Sequence, residues 1–407
     1  ITNPGGQSNS DSADPVVNAD GSVVAFSSNA SNLVHGGDGT YQQIYVRDRN
    51  LNQTICVSAT FEAYGNGDSI RPAVSADGNC IAFVSWATNL GPADTNGQPD
   101  VYWVNRTTGE IKLVSVATSG AQANGSQDVY LYPAVSADGR FVAFCSYASN
   151  LTANDTNGAP DIFVYDTQTG VQECVSVDPA GKPGNATSWW ADMSDDGRFV
   201  VFMSDASNLI SGDTNGQADI YVRDRALGRT TRVSVAAGGV QSTGNSRDPA
   251  ISSTGRFVIF KSSDGNLVAG DTNGQWDVFV YDMVSQTTKC VSMNDSQAMG
   301  NGESTLRGGI SANGQWAVYR SWSDNLVPND ANTAWDIFAH GPMSWTPAKY
   351  MMADMKKTLR IAAGLQTPSL SDAYWLDVNR HGLSSGRIDI SDAALITRKV
   401  TGLDTNP

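Results

Sequence analysis

The sequence Ala73-Val-Ser-Ala-Asp-Gly78 recurs 61 residues later as Ala134-Val-Ser-Ala-Asp-Gly139. Weaker copies of this phrase end at four further glycines: Gly21, Gly197, Gly255 and Gly314. The steps between successive glycines are 57, 61, 58, 58 and 59 residues. A period of this length, kept six times over residues 1–341, is typical of a repeat architecture.

Each repeat divides into four short apolar segments separated by turn signals. In repeat 3 the segments are 133–136, 141–144, 162–165 and 174–177, with Asp138-Gly139 as a hairpin-type turn after the first. Four antiparallel strands per repeat, six times over, predict a mainly β fold, a six-bladed β-propeller with four-stranded blades over residues 1–341. A β-sandwich would not show so regular a period.

The two ends of the repeat region are complementary. Repeat 6 stops after Asp336-Ile-Phe-Ala339 without a fourth strand, whereas Ile1-Thr-Asn-Pro-Gly-Gly-Gln-Ser-Asn9 matches the end of other repeats, such as Val233-Ser-Val235. We therefore predict that the N-terminal strand completes blade 6, which removes an exposed sheet edge. We expect it to complete its own ring; the alternative, which the sequence leaves open, is that it pairs with a neighbouring molecule.

Three features give the repeats a family resemblance. They are the Ser-x-Asp-Gly turn, the Phe-x-Ser end of the second strand, and the Asp-(Ile/Val)-(Tyr/Phe)-Val third strand. With these the repeats resemble the TolB-type propeller repeat of bacterial envelope and secreted proteins. The resemblance covers about 340 residues and implies the fold, but propellers carry many different functions.

An acidic loop recurs between the second and third strands, with the pattern Asp-x-Asn-x-x-x-Asp. Its members are Asp94, Asn96 and Asp100; Asp155, Asn157 and Asp161; Asp213, Asn215 and Asp219; Asp271, Asn273 and Asp277; and Asp330, Asn332 and Asp336. Oxygen ligands at positions 1, 3 and 7 resemble the first part of a calcium-binding EF-hand loop. The alternative is a turn in which these side chains bond their own backbone and the last Asp fixes the start of the third strand.

The composition changes after Gly341, and residues 342–407 predict a small α-helical C-terminal domain. Thr346-Pro347 is a helix start, and four apolar side chains then share one helical face: Met351, Met352, Met355 and Leu359. A second helix is predicted from Ser391-Asp392 to Gly402.

This tail resembles a dockerin module. The resemblance rests on Leu359-Arg-Ile-Ala-Ala-Gly364-Leu, on Asp377-Val-Asn379 and on Gly386-Arg-Ile-Asp389-Ile-Ser-Asp392-Ala. It implies calcium ligands at Asp377, Asn379, Asp389 and Asp392, and docking onto a cohesin-like partner. The loop is longer than the usual 12 residues and the first calcium loop is absent, so the module is divergent and incomplete.

Composition narrows the function classes. Lys and Arg number 26 and Asp and Glu 41, for a net charge of −15, which argues against nucleic acid as a partner. No apolar run approaches the roughly 18 residues that span a bilayer. The start at Ile1 rather than Met suggests a processed, exported chain. The three histidines lie far apart in sequence and in no shared motif, so neither a histidine-based catalytic triad nor a zinc site is indicated. We therefore expect no enzymatic activity.

Cysteines and aromatic residues add two further expectations. The odd count of five cysteines predicts free thiols rather than a disulfide framework. Aromatic pairs precede the first strands of repeats 3 and 4 and would form a stacking surface for a glycan, or pack between blades: Tyr130 and Tyr132, and Trp189 and Trp190.

Together these observations favour a secreted, extracellular or cell-surface interaction protein without enzymatic activity. In this interpretation the propeller is a rigid body, the tail makes protein contacts, and self-assembly yields a filament or surface layer. The alternative is a carbohydrate- or protein-binding propeller anchored through its tail to a cohesin-like receptor.

Overall fold

The computed structural model describes residues 6–37, 39–91, 94–127, 132–153, 155–306, 308–332 and 334–345. The predicted N-terminal closing strand, in residues 1–5, lies outside the described residues. So does the helical, dockerin-like tail from residue 346 onward, with its predicted ligands Asp377, Asn379, Asp389 and Asp392.

The described residues form 23 strands. Blades 1 to 3 contain β1 (Ser12–Val17), β2 (Val23–Ser28), β3 (Gln43–Asp48), β4 (Gln53–Cys56), β5 (Ser69–Val74), β6 (Cys80–Ser85), β7 (Asp100–Asn105), β8 (Glu110–Leu113), β9 (Ala134–Val135), β10 (Phe141–Ser146), β11 (Asp161–Asp166) and β12 (Gln172–Cys174). Blades 4 to 6 contain β13 (Ser188–Met193), β14 (Phe199–Ser204), β15 (Asp219–Asp224), β16 (Arg229–Arg232), β17 (Ser246–Ile251), β18 (Phe257–Ser262), β19 (Asp277–Asp282), β20 (Thr287–Cys290), β21 (Ser304–Thr305), β22 (Ala317–Ser321) and β23 (Asp336–His340).

Strands pair with their neighbours in chain order, which confirms the six-bladed propeller. Five sheets have four antiparallel strands, and the sixth has three within the described residues. Apart from the strands, these residues contain one 3-10 turn, Ala237–Gly239, and no α-helix. No helix among them is both long and apolar enough to cross a membrane.

The core of each blade lies between its second and third strands. In blades 2 and 4 all six side chains of the second strand are buried, because a neighbouring blade covers each face. One stacked aromatic pair bridges these strands in every blade, with ring centroids 5.8–6.1 Å apart: Phe26–Tyr45, Phe83–Tyr102, Phe144–Phe163, Phe202–Tyr221, Phe260–Phe279 and Tyr319–Phe338. Such cross-strand pairs stabilise the hairpin.

Neighbouring blades are joined at the turn between their first and second strands. The backbone nitrogen of Ala19 donates to the oxygen of Ala76 over 3.2 Å, and Ala76 donates to Ala137 over 3.0 Å. The same bond continues from Ala137 to Asp195 and from Asp195 to Ser253, over 2.8 and 2.9 Å. One backbone bond at each Ser-x-Asp-Gly phrase, or its variant, therefore links blades 1 to 5 in order.

The glycine of this turn meets two requirements at once. Gly197 and Gly255 have φ of 66° and 72°, in the left-handed region that favours glycine. A Cβ on Gly197 would lie 2.4 Å from Phe141 of the preceding blade, and one on Gly255 would lie 2.2 Å from Phe199. Each turn thus packs its bare backbone against the preceding blade, and any side chain there would separate the two blades.

Residues just beyond the domain boundary predicted at residue 342 contact the propeller. Met343 is buried in the cluster shared by blades 5 and 6, and the Trp345 ring lies 5.1 Å from that of Phe257. Residues 341–345 therefore pack on the propeller, and the division between domains beyond them stays a prediction.

We expect Gly197→Ala to destabilise the protein more than Gly216→Ala. Both glycines have positive φ, 66° and 63°, so both substitutions carry the left-handed cost of about 1–2 kcal/mol. Only Gly197 faces another blade, since nothing lies within 4 Å of a Cβ on Gly216. Overpacking should add about 1–3 kcal/mol to the G197A loss alone. Urea denaturation measures both losses, and equal values would contradict the contact between blades.

Candidate functional site

Hydrogen bonds hold the five acidic loops in one shared arrangement. The Asn carboxamide nitrogen donates to one oxygen of the last Asp over 2.7–3.2 Å, as Asn157 does to Asp161. In blades 2 to 5 the hydroxyl of a serine two residues after the fourth strand donates to the other oxygen over 2.5–2.6 Å, as Ser176 does. The Asn157 oxygen accepts the N–H of Ala159. The loops thus form the bonds of the turn interpretation.

These contacts bear on the calcium prediction. In each loop the Asn carboxamide turns its nitrogen, not its oxygen, toward the carboxylate of the last Asp. The Asn and Asp oxygens therefore do not point to a common centre where a cation would bind. Among the described residues no group of three or more Asp, Glu, His or Cys side chains is arranged to hold a metal ion. Asp155 differs, because its buried Oδ1 has no hydrogen-bond partner. Calcium binding by the loops stays a prediction, and blade 3 is the place to test it.

In blade 1 a single residue, Gln43, makes the hydrogen bonds that an Asn and an Asp make in the other blades. The Gln43 oxygen accepts the Ser58 hydroxyl over 2.6 Å, and its nitrogen donates to the Gly65 oxygen over 2.9 Å. In blade 3 these two tasks fall to Asp161 and Asn157, and Asn157 donates to the Gly184 oxygen. The acidic loop is therefore one of two ways to provide hydrogen-bond partners for the buried serine hydroxyl and for a carbonyl oxygen in the connection to the next blade.

Burial determines the acidity of the Asp that ends each loop. Asp100, Asp161 and Asp277 are completely buried. Loss of hydration raises the pKa of Asp161 to about 7 and the pKa of Asp100 and of Asp277 to about 6, against the opposing effect of the serine and asparagine hydrogen bonds. Burial likewise raises the pKa of Asp219.

Stability should fall as pH rises from about 4 to 7. The raised pKa means that the folded chain binds protons in this window that the unfolded chain, with a carboxyl pKa of about 4, releases. We expect Asp161→Asn to reduce the fall by on the order of 1–3 kcal/mol, because a carboxamide does not titrate. Gln43 shows that a carboxamide oxygen accepts the serine hydroxyl at this position. The new carboxamide nitrogen would face the Asn157 nitrogen, a loss that is the same at both pH values. The burial-lowered pKa of His340 opposes the trend equally in all variants.

Urea denaturation at pH 4.5 and 7.5 measures this difference. Asp11→Asn is the control for the loss of an exposed carboxylate. An unaltered pH dependence in D161N would mean that burial does not raise the pKa of Asp161.

A polar cluster joins the first strands of blades 1 and 2 to Tyr132, which precedes the first strand of blade 3. Arg71 Nη1 donates to Asp14 Oδ1 over 3.1 Å and to the Tyr132 hydroxyl over 2.8 Å, and that hydroxyl donates to Asp14 over 2.8 Å. The Arg71 guanidinium lies 4.7 Å from the Tyr132 ring centroid. Blades 1 and 3 are not neighbours, so their contact places this axial cluster at the propeller axis. In blade 5, Lys261 pairs with the equivalent Asp248 over 2.9 Å.

The backbone at these positions is strained. The register shifts within the first strand of blades 1, 2, 4 and 5, and a non-glycine residue there has φ between 51° and 57°: Asp14, Arg71, Trp190 and Asp248. Such residues cost about 1–3 kcal/mol each and cluster at functional sites. Sequence reasoning assigned Trp190 to a stacking surface but gave no role to Asp14, Arg71 or Asp248. Four of the five equivalent residues precede a proline: Asp14, Arg71, Tyr132 and Asp248.

The aromatic residues predicted as a stacking surface divide between two roles. Trp190 and Tyr132 are 36% and 41% exposed near the axis. Trp189 packs into the clusters that join blade 4 to its neighbours, as the packing alternative predicted. Tyr130 lies outside the described residues. All five cysteines are free, and burial raises the pKa of Cys80 to about 11.

The junction of blade 6 with blade 1, which we call the seam, lacks the contacts of the other junctions. Five hydrophobic clusters each span one pair of consecutive blades, and within the described part of the chain none spans blades 6 and 1. Among the same residues no backbone bond joins the turns of blades 6 and 1, and none joins those of blades 5 and 6, where the Thr254 hydroxyl donates to the Ala312 oxygen over 3.3 Å instead. A Cβ on Gly21 would meet only Arg49 of its own blade.

Both sides of the seam are apolar. The blade 6 side chains facing it are 44, 39 and 69% exposed: Trp316, Val318 and Ile337. Their equivalents in blade 5 are at most 2% exposed, beneath blade 6: Phe257, Ile259 and Val278. On blade 1, Val17 is 58% exposed and Val24 and Phe26 are half-buried. Their equivalents in blade 5 are at most 7% exposed: Ile251, Val258 and Phe260.

The comparisons with known proteins concern the fold. No family model matches the chain, and no curated protein matches its sequence. TolB from Acinetobacter baumannii is 18% identical with a TM-score of 0.40, over 77% of this chain and 59% of that one. A putative TolB from Agrobacterium tumefaciens is 18% identical with a TM-score of 0.41, over 70% and 82%.

An oligogalacturonate lyase in complex with manganese is 13% identical, with a TM-score of 0.47 over 81% of this chain and 77% of that one. At these scores the likenesses carry no information on activity, ligand or partner. The matches include TolB proteins. The six-bladed β-propeller fold itself is shown by the strand pairing of this chain.

Proposed function

We propose that this chain is a secreted, non-enzymatic interaction protein that assembles with further copies of itself. Blade 6 of one copy packs against blade 1 of the next. The observation that carries the proposal is the seam, where two apolar faces are exposed at opposite ends of one repeat array. Exposed apolar faces of this kind are typical of protein interaction sites.

The two faces are suited to each other. Five times within the chain, the face of one blade that corresponds to Val318 and Ile337 packs on the face of the next that corresponds to Val24 and Phe26. A contact between two different faces is heterologous, and when its rotation does not close a ring it produces a fibre. The proposal therefore includes an extracellular filament as the assembled form.

The tail adds a second route to protein contacts in this proposal. By its dockerin resemblance it would hold calcium at Asp377, Asn379, Asp389 and Asp392 and dock onto a cohesin-like receptor. Both the calcium and the receptor are proposals, since these residues lie outside the described part of the chain.

Val318→Asp should weaken self-association by at least tenfold. A carboxylate on this face would be buried against an apolar neighbour and lose its hydration. Light scattering after gel filtration, across a range of protein concentrations, gives the mass, and negative-stain electron microscopy shows the form. Val171→Asp is the matched control, because Val171 is 48% exposed on blade 3, away from the seam. A parent chain that stays monomeric at every concentration would refute self-assembly.

A second function is favoured by the axial cluster. Exposed aromatic rings beside paired charges provide both a stacking face and hydrogen-bonding groups for a glycan, the ligand class of the alternative interpretation. Trp190, Tyr132 and Arg71 would contact it. Side chains held in strained conformations at the axis support this role.

Titration with wall or plant polysaccharides should change the tryptophan fluorescence of the parent chain, and Trp190→Ala should lose most of that change. Trp322→Ala is the control, because Trp322 is 50% exposed on blade 6. Unchanged fluorescence of the parent chain, or a W190A response equal to that of the parent, would count against a glycan at the axis.

A further inference from the structure

The outer edge of blade 6 shows which strand it lacks, because the other five blades display the missing contacts. In blade 3, the Ile162 N–H donates to the Ser176 hydroxyl over 3.0 Å, and the Ile162 oxygen accepts the Val175 N–H over 2.8 Å. The same pair of bonds occurs in every other complete blade. The dipeptides that supply it are Val57-Ser58, Val114-Ser115, Val175-Ser176, Val233-Ser234 and Val291-Ser292.

Blade 6 presents the same template without its complement. Ile337 occupies the position of Ile162, and Asp336 that of Asp161. Within the described residues the Asp336 carboxylate accepts a side-chain hydrogen bond only from Asn332, over 3.0 Å. The second carboxylate oxygen and both backbone groups of Ile337 are left for a strand with a branched apolar residue followed by a hydroxyl residue.

We infer that Ile1-Thr2 of a second copy completes this edge. Thr2 supplies the hydroxyl to Asp336 and to the Ile337 N–H, and the Ile1 nitrogen donates to the Ile337 oxygen. The inference rests on the proposed head-to-tail assembly and names the strand that is exchanged. It is an addition of a strand to a free sheet edge, in which backbone bonds give affinity and the side-chain match gives specificity.

The chain leads into blade 1 as it does into other blades. The Asn9 N–H donates to Asn32 Oδ1 over 3.0 Å, just as Asn66 donates to Asn89 over 2.9 Å in blade 2. Asn66 follows Val57 by nine positions, and Asn9 follows Ile1 by eight. The connection is thus one residue shorter than that of blade 1 and two residues shorter than those of blades 2 to 5.

The assembly geometry brings the strand to this edge. Within the chain, the fourth strand of each blade leads directly into the next blade. A copy whose blade 1 covers the seam of another copy therefore carries its own N-terminal residues to the free edge of β23. One arrangement accounts for both the exposed seam faces and the missing strand.

The hydroxyl is tested by replacing Thr2. We expect Thr2→Val to weaken association about tenfold, since a charge-assisted hydrogen bond is lost, and Thr2→Ser to restore it. Association constants come from sedimentation of the full chain. Equal constants for the parent and T2V would overturn the role of Thr2 while leaving assembly through the seam intact.

Mixing two blocked variants tests the exchange itself. Thr2→Pro blocks the donated strand, and Ile337→Pro removes the outward N–H of the acceptor edge, where proline is tolerated. Each variant alone should remain monomeric, and an equal mixture should form a dimer that grows no further. A mixture that stays monomeric while the parent assembles would overturn strand exchange. A parent that never assembles would refute the proposed function, and the inference with it.

Discussion

The contact on which this propeller depends is the packing of a bare turn backbone against the neighbouring blade. At Gly197 and Gly255 the absent side chain lets the turn approach Phe141 and Phe199, and one backbone bond aligns each of the first four turns with the next. This approach allows the second and third strands to be buried on both faces. A blade buries both faces of these strands only when it lies between two neighbours. In an open row of repeats the first and last blades therefore each keep one face uncovered.

The acidic loops show how a buried polar connection is satisfied. Each third strand begins beneath the next blade, where a serine hydroxyl and a loop carbonyl both need partners. An Asn-Asp pair provides them in four blades and Gln43 provides them in blade 1. The price of the carboxylate is a raised pKa, because its hydrogen bonds do not fully replace the lost water. Repetition here reflects a repeated structural requirement, and the loops need no shared ligand to explain it.

The repeat period of the sequence is enough to predict the number of blades, their strand order and the blade that lacks a strand. Six returns of one turn phrase determine the blades and their strand order, and the fourth-strand gap of repeat 6 follows from the same alignment. The loop chemistry is not decided by spacing, since oxygens at positions 1, 3 and 7 suit a cation and a turn alike until the Asn157 amide is placed. The axial cluster is also hidden, because Asp14 and Tyr132 are 118 positions apart. Nor does a periodic sequence show whether its first and last copies meet.

Closure within one chain and assembly between chains compete for the same two faces. A contact inside one chain has an effective concentration in the millimolar range. Assembly at micromolar protein therefore requires that closure cost at least about 4 kcal/mol more than contact between copies. The axial cluster fixes blade 1 against blades 2 and 3, because Arg71 and Tyr132 both contact Asp14. A closure that moved blade 1 relative to these two blades would break those hydrogen bonds, which is a cost that contact with a second copy avoids.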